Sequence, residues 1–201
     1  MPLRIGVGIG TMIDMARPAE SVRCGGIELR RWRRSDEDTL HRIVNESLEH
    51  LRPWMGWVAQ TGAHPRAAVR RSLAEAGAAW ESGDAYGYAI TAEARAIGSA
   101  GLRRGVEPGV WEIGYWVHPA HTGRGYGTDA AAALVDRAFA LPDAERVQIW
   151  HYAANLASAV VPRRLGFAEI DRRSPARDPL TPGEIGIDVV WELAVNARAR
   201  D

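Results

Sequence analysis

The stretch H-T-G-R-G-Y-G-T, His121 to Thr128, sets glycines at 123, 125 and 127 directly ahead of an amphipathic run. Bare backbone lets another group approach closely. Consecutive amides there, the free N–H groups of a first helical turn and the helix dipole together form an anion site suited to phosphate, and Thr128 adds a hydroxyl. A tight strand-to-helix turn is the plainer reading of the same glycines. The dinucleotide fingerprint G-x-G-x-x-G fails: counted from Gly123, its third glycine falls on Thr128. A second glycine-rich stretch, Arg4 to Thr11, fails likewise at Thr11. No strand precedes it and no amphipathic helix follows, so it reads as flexible chain. A nucleotide-binding Rossmann protein is thereby excluded.

Other residue types narrow the chemistry further. All 25 basic residues are arginine, so a lysine Schiff base, a lysine general base and a P-loop lysine are excluded. Cys24 is the single cysteine, which rules out an intrachain disulfide and a cysteine metal cluster and suits a reducing cytoplasm. The six histidines, at 41, 50, 64, 118, 121 and 151, form no H-E-x-x-H pattern, and no metal is expected. Net charge is zero, so neither nucleic acid nor an anionic membrane is an expected partner. No apolar run approaches the ~20 residues of a membrane span. The N-terminus is too weak for a signal peptide, and a cytoplasmic setting is expected.

The elements that must position these residues follow from periodicity. The 201 residues suit one domain with a short appendage. Residues 1–25 carry no clear period and read as an N-terminal extension. Ile27–Trp32 alternates as a strand does. Ser35 caps a helix reaching about Asn45, and His50–Trp57 is a loop. Pro65 opens a helix to about Glu81. Ala85–Thr91, Ala96–Arg103 and Val110–Val117 are three successive strands. The helix after the glycines buries Ala130, Ala131, Leu134, Val135, Ala138 and Phe139, and Pro142 closes it. Arg146–Tyr152 is a strand. Asn155 caps a helix ending at Gly166. Phe167–Asp171 and Ile185–Val195 are the last two strands. The order gives an α/β sheet with helices on its faces.

Five segments now carry a resemblance. T-G-R-G-Y-G is similar to the Q/R-x-x-G-x-G/A acyl-CoA signature of the GNAT superfamily of N-acyltransferases. N-L-A-S-A-V-V-P-R-R-L-G-F (Asn155–Phe167) matches that superfamily's N-x-x-S-x-x-V/I-x-x-K/R-L-G-F segment at every keyed position. W-E-I-G-Y-W-V-H-P (Trp111–Pro119) resembles its central strand. L-R-P-W-M-G-W (Leu51–Trp57) and I-E-L-R-R-W-R-R-S-D (Ile27–Asp36) resemble the RimJ/RimL branch, which acetylates protein N-termini and some small amines. The resemblance implies a mixed, mostly antiparallel sheet of six to seven strands, splayed at the fourth and fifth and flanked by about four helices. Residues 26–201 would form a single acyl-CoA N-acyltransferase domain. Two departures stand out. Thr122 occupies the position that is usually Gln or Arg. Pro162 lies inside the expected Asn155–Leu165 helix, where proline costs about 3 kcal/mol, so that helix should be kinked or short near Ser158.

The resemblance also implies a reaction: an acceptor amine attacks the thioester of acetyl-CoA directly, in a ternary complex. The amine is a protein N-terminus or a small-molecule amine. A larger acyl group such as succinyl, or a non-catalytic acyl-CoA-binding module, are the rival readings. Glu112 is the candidate base, or else a salt-bridged strand glutamate. Ser158 is the candidate acid at the thiolate, or else a helix serine bonded to nearby backbone. The Val117 N–H is the candidate donor to the thioester oxygen. Thr122, Gly123, Arg124, Gly125, Tyr126, Gly127 and Thr128 would hold the pyrophosphate. Asn155 would both cap and hold the pantetheine arm. Tyr115 and Trp116 alternate faces, and Trp116 is assigned to the cosubstrate. Trp54, Trp57 and Asp188 are acceptor-site candidates, the tryptophans alternatively core anchors. His118 and His121 read as loop packing. Relatives in this branch are often dimers, so a homodimer is an open expectation.

Overall fold

The computed structural model describes residues 17–177 and 181–195. The glycine-rich stretch Arg4–Thr11 lies outside them. Eight strands form one sheet in the order β1-β2-β3-β4-β5-β6-β8-β7. These are β1 (Ser21–Cys24), β2 (Ile27–Arg31), β3 (Ala85–Ala92), β4 (Arg95–Arg104), β5 (Val110–Val117), β6 (Arg146–Tyr152), β7 (Ala168–Arg173) and β8 (Asp188–Ala194). All neighbours pair antiparallel except β5 and β6. A parallel pair needs a crossover, and α4 (Tyr126–Phe139) supplies it. The remaining helices are α1 (Glu37–Glu46), α2 (Leu48–Leu51), α3 (Arg66–Ser82) and α5 (Val160–Arg164).

Helix α4 covers one face of the sheet. Its Ala130, Ala131, Leu134 and Val135 pack on Trp111, Ile113, Val147 and Ile149. The run of alanines brings the helix axis close to the strands. Helices α1 and α3 cover the opposite face, where Ile43, Val44, Val69 and Leu73 meet Trp32 and Ala89. Period-2 alternation along β5 therefore sends Trp111, Ile113 and Tyr115 toward α4 and Glu112, Gly114 and Trp116 toward α3.

Four expectations are corrected. Ser21–Cys24 is a strand and not extension; four residues are too few to show a period, and the Gly25-Gly26 turn that folds them onto β2 is what makes them a hairpin. The sheet thus has eight strands, one more than the upper expectation. Leu48–Leu51 is a fifth helix inside what read partly as loop, buried through Leu48 and Leu51. The helix expected from Asn155 to Gly166 is only Val160–Arg164, with Ala159 as its N-cap. That shortening resolves Pro162. It falls in the first turn, where the backbone N–H has no intrahelical partner to lose.

Candidate active site

The glycine loop leaves β5 through a short 3₁₀ turn, Pro119–His121. His118 shapes that turn by accepting the Ala120 N–H on Nδ1 (3.2 Å). Burial lowers its imidazole pKa, against the opposing pull of Glu46. Gly123 (φ +76°) and Gly125 (φ +84°) are both left-handed, and an added Cβ at either would meet nothing within 4 Å. Backbone conformation demands glycine there, while the space above stays open. Gly127 has a different reason: its Cβ would come within 3.4 Å of the Tyr115 ring. The Thr128 and Asp129 amides bond to the Gly125 carbonyl (2.8 and 3.0 Å). Among the described residues, the amides of Gly123, Arg124, Gly125, Tyr126 and Gly127 have no hydrogen-bond partner. Unpaired amides at the start of a 14-residue helix make a cradle of the kind that suits an anion.

The Thr122 hydroxyl is used inside the turn, donating to the Pro119 carbonyl (2.9 Å). Arg124 is exposed, its Nη2 near the Ala120 carbonyl (3.4 Å). Trp116 does not join the cradle. Its ring lies on the opposite face, 6.5 Å from that of Trp57. Tyr115 faces α4 instead. Its hydroxyl is buried and, among the described residues, without a partner, and burial pushes its pKa well above the usual phenol value.

From the cradle the chain leads back to a gap in the sheet. β5 and β6 pair from Val110 opposite Arg146 to Ile113 opposite Ile149, then separate. These are the fourth and fifth strands of the sequence-derived count. His118 donates its amide to the Ile97 carbonyl (2.7 Å), which fixes the phase of the β4–β5 ladder. Bonded and unbonded pairs alternate along such a ladder. The N–H groups of Tyr115 and Val117 therefore point away from β4, toward the gap.

A cavity of about 210 Å³ occupies this gap, bringing together Trp54, Asn155, Ser158, Asp188, Gly114 and His151. Asn155 accepts the Ser158 N–H on Oδ1 (3.2 Å), which holds the turn and does not engage the Ser158 hydroxyl. Asp188 is buried (4% exposed), and its Oδ2 accepts the Arg177 N–H (2.8 Å). His151 has no free nitrogen: Nε2 accepts the Trp191 indole N–H (2.9 Å) and Nδ1 lies 2.8 Å from the Tyr152 carbonyl.

Glu112 lies in an adjoining cavity of about 380 Å³. It is 6% exposed, and Arg103 Nη2 and Nε donate to its Oε2 (2.7 and 3.1 Å). Arg177 Nη1 donates to both oxygens (2.9 and 3.0 Å) and its guanidinium lies 3.9 Å from the Trp150 ring centroid. A base needs a lone pair directed at its proton. These contacts favour the ion-pair reading of Glu112 that the sequence left open. A third cavity, about 670 Å³, holds Trp57 and Trp116 under α3, and Gly114 borders all three. Trp54 is half-buried and Trp57 is 51% exposed, so Trp57 is no core anchor.

Sequence reading missed Arg103, Arg177 and Trp150. Arg103 had a signal: it lies directly opposite Glu112 once the β4–β5 register is known. Arg177 comes from a loop that no periodicity marks.

Residues 27–168, or 142 of the 201, match the family described as the acetyltransferase (GNAT) domain. The chain belongs to the GNAT acetyltransferases. Among relatives of this GNAT protein, a candidate ribosomal N-acetyltransferase, YdaF, from Bacillus subtilis (strain 168) is 36% identical over 80 residues. That match covers 40% of this chain and 42% of the relative. The solved RimL ribosomal L7/L12 alpha-N-protein acetyltransferase, in complex with coenzyme A, superposes with a TM-score of 0.79 at 22% identity, covering 89% of this chain and 99% of that one. Mycobacterium smegmatis RimJ in complex with a CoA disulfide gives 0.76 at 22% identity, covering 88% and 87%. The two structures share the fold with this GNAT acetyltransferase.

Proposed function

We propose that the protein is an acetyl-CoA-dependent N-acetyltransferase that transfers acetyl to a primary amine by direct attack. The observation that carries this is the continuity of the unpaired Gly123–Gly127 amides with the gap between β5 and β6. An anion cradle sits at one end and, at the other, a cavity lined in part by the polar side chains of Asn155, Ser158 and Asp188. The named relatives, CoA-bound structures among them, support the same reading. Acetyl-CoA supplies an activated acetyl thioester.

The chain's own residues do the rest. The free amides from Gly123 to Gly127 hold the pyrophosphate, with Arg124 beside them and the Thr128 hydroxyl within the same first turn. Asn155 and the outward amide of Tyr115 hold the pantetheine arm. The Val117 N–H donates to the thioester oxygen as charge develops. Ser158 returns a proton to the departing thiolate. Asp188, whose second oxygen makes no hydrogen bond among the described residues, holds the acceptor ammonium and takes its proton, directly or through water. Glu112 orients Arg103 and Arg177 and so shapes the wall next to the acceptor. The gap's small volume favours acetyl over a succinyl group.

Thiol release from acetyl-CoA across a panel of peptides and amines tests this, with calorimetry for acetyl-CoA. Release with at least one primary amine is expected. No release with any acceptor, together with no acetyl-CoA binding, overturns the reading.

A further inference from the structure

We propose that Gly114, Gly101 and Gly87 form a furrow that selects a primary amine carried on a flat aromatic group. This rests on the acetyl-transfer reading above and names the acceptor's class. The three glycines stand side by side on adjacent strands: Gly87 opposite Gly101, and Gly101 opposite Gly114. Glycine inside a strand is destabilising by about 0.5–1 kcal/mol relative to alanine, and it often marks a close approach. None of the three has a positive φ. The protein's own packing explains only one. A Cβ at Gly101 would crowd the Tyr86 carbonyl oxygen at 3.1 Å. At Gly87 it would make ordinary contacts, 3.8 Å to Ala76 and 3.9 Å to Trp32. At Gly114 it would meet nothing within 4 Å. Glycine supplies open space at 114, and at 87 it leaves room for one methyl group beneath Ala76 and Trp32.

The furrow has direction and chemistry. It opens into the transfer gap at Gly114 and runs two strand spacings, about 10 Å, to the end covered by Ala76 of α3. Along one side stand Trp116 and Ser99; along the other, Glu112 and Arg103. Trp57, 51% exposed at the same cavity, leaves an indole wet that a bound ring would cover. Aromatic partners favour ring centroids about 4.5–7 Å apart, the spacing Trp57 and Trp116 already hold. At the open end, the carboxylate of Asp188 suits an ammonium. A thin ring in the furrow with its aminoethyl arm at the gap satisfies both ends. A thick or branched aliphatic group does not lie on a bare floor beneath a helix.

The test is CoA-release kinetics with 2-phenylethylamine, 2-(indol-3-yl)ethylamine and 2-cyclohexylethylamine. The two aromatic amines should exceed the cyclohexyl amine by about tenfold in kcat/KM. Gly87→Ala fills the closed end and should cut the two-ring amine more than the one-ring amine. Gly114→Ala, at the mouth, should cut both. Calorimetric acetyl-CoA affinity reports that each variant is folded. Cyclohexylethylamine accepted as well as phenylethylamine, or Gly87→Ala lowering all three equally, overturns the furrow. Turnover of peptides or alkyl amines without the aromatic ones also overturns it, while leaving acetyl transfer standing. Failure of every amine overturns both.

Discussion

Replacing Glu112 by glutamine separates two jobs that the same carboxylate can have. The side chain is 8% exposed and is held by two guanidinium groups, on an Arg177 side chain that is 31% exposed and an Arg103 side chain that is 61% exposed. Breaking a fully buried pair costs about 3–5 kcal/mol, whereas exposed pairs contribute about 0–1 kcal/mol. One buried and two partly wet partners place Glu112→Gln between these limits, at about 2 kcal/mol. In a domain of this size that lowers Tm by about 4–8 °C. The glutamine amide would also turn N–H donors toward guanidinium donors, so Arg177 should leave Trp150 and disturb the wall shared by two cavities. A fall in kcat/KM of about tenfold, or about 1.4 kcal/mol, is expected. The rise of kcat/KM with pH should survive, because the proton acceptor is elsewhere. Arg177→Ala should reproduce the loss, and the double variant should lose less than the two singles together. Steady-state CoA release from about pH 6 to 9.5 reads all of this. A loss of about 10³-fold with a flattened pH profile, beside a harmless Arg177→Ala, would show that Glu112 is the base and refute the clamp.

Gly125→Ala must force alanine to φ +84°, at a cost of about 1–2 kcal/mol, and puts a methyl group into the cradle; acetyl-CoA should bind at least about tenfold more weakly by calorimetry, and unchanged affinity would remove the cradle role. Ser158→Ala should lower kcat by about 10²-fold with little change in the KM for acetyl-CoA; a change confined to KM would make Ser158 a binding group. Burial holds His64, His118 and His151 below the usual imidazole range. The unfolded chain then takes up protons near pH 6.5 that the folded chain does not, so this contribution is full above that pH and is lost as pH falls from there through the lowered folded values. Urea midpoints should drop from about pH 7.5 to about pH 5.5, and His151→Gln should reduce the drop; a flat midpoint would show that the imidazoles titrate normally when folded.

The strands and helices that carry the site were legible because each shows a period long enough to see. The glycine loop, the α4 face and β3 to β6 all fall within a residue or two of the expected positions. Ser21–Cys24 and Leu48–Leu51 were not legible, because four residues span little more than one helical turn or two strand repeats, too few to show a recurring pattern, and are fixed by what they pack on. Asn155 misled for a related reason. Its side chain does cap, but the group capped is the Ser158 amide in a turn, and the helix begins only at Val160.

The acceptor side was hidden for a deeper reason: its meaning lies in register. Glu112 alone reads equally as base or ion pair, and Gly114 alone reads as a weak point in a strand. Setting Arg103 opposite Glu112 favours the ion pair. The same register then aligns Gly101 with Gly114, and the β3–β4 pairing adds Gly87. A single cross-strand match thus converts three unremarkable glycines into a continuous bare floor and a lone glutamate into part of its wall. Sheet register is fixed by long-range packing and by the length of the turns, which one-dimensional periodicity does not contain. That is why the proposed phosphate end of this site, built from consecutive residues, could be read from the chain, while the proposed acceptor end, built from residues one strand apart, required the fold.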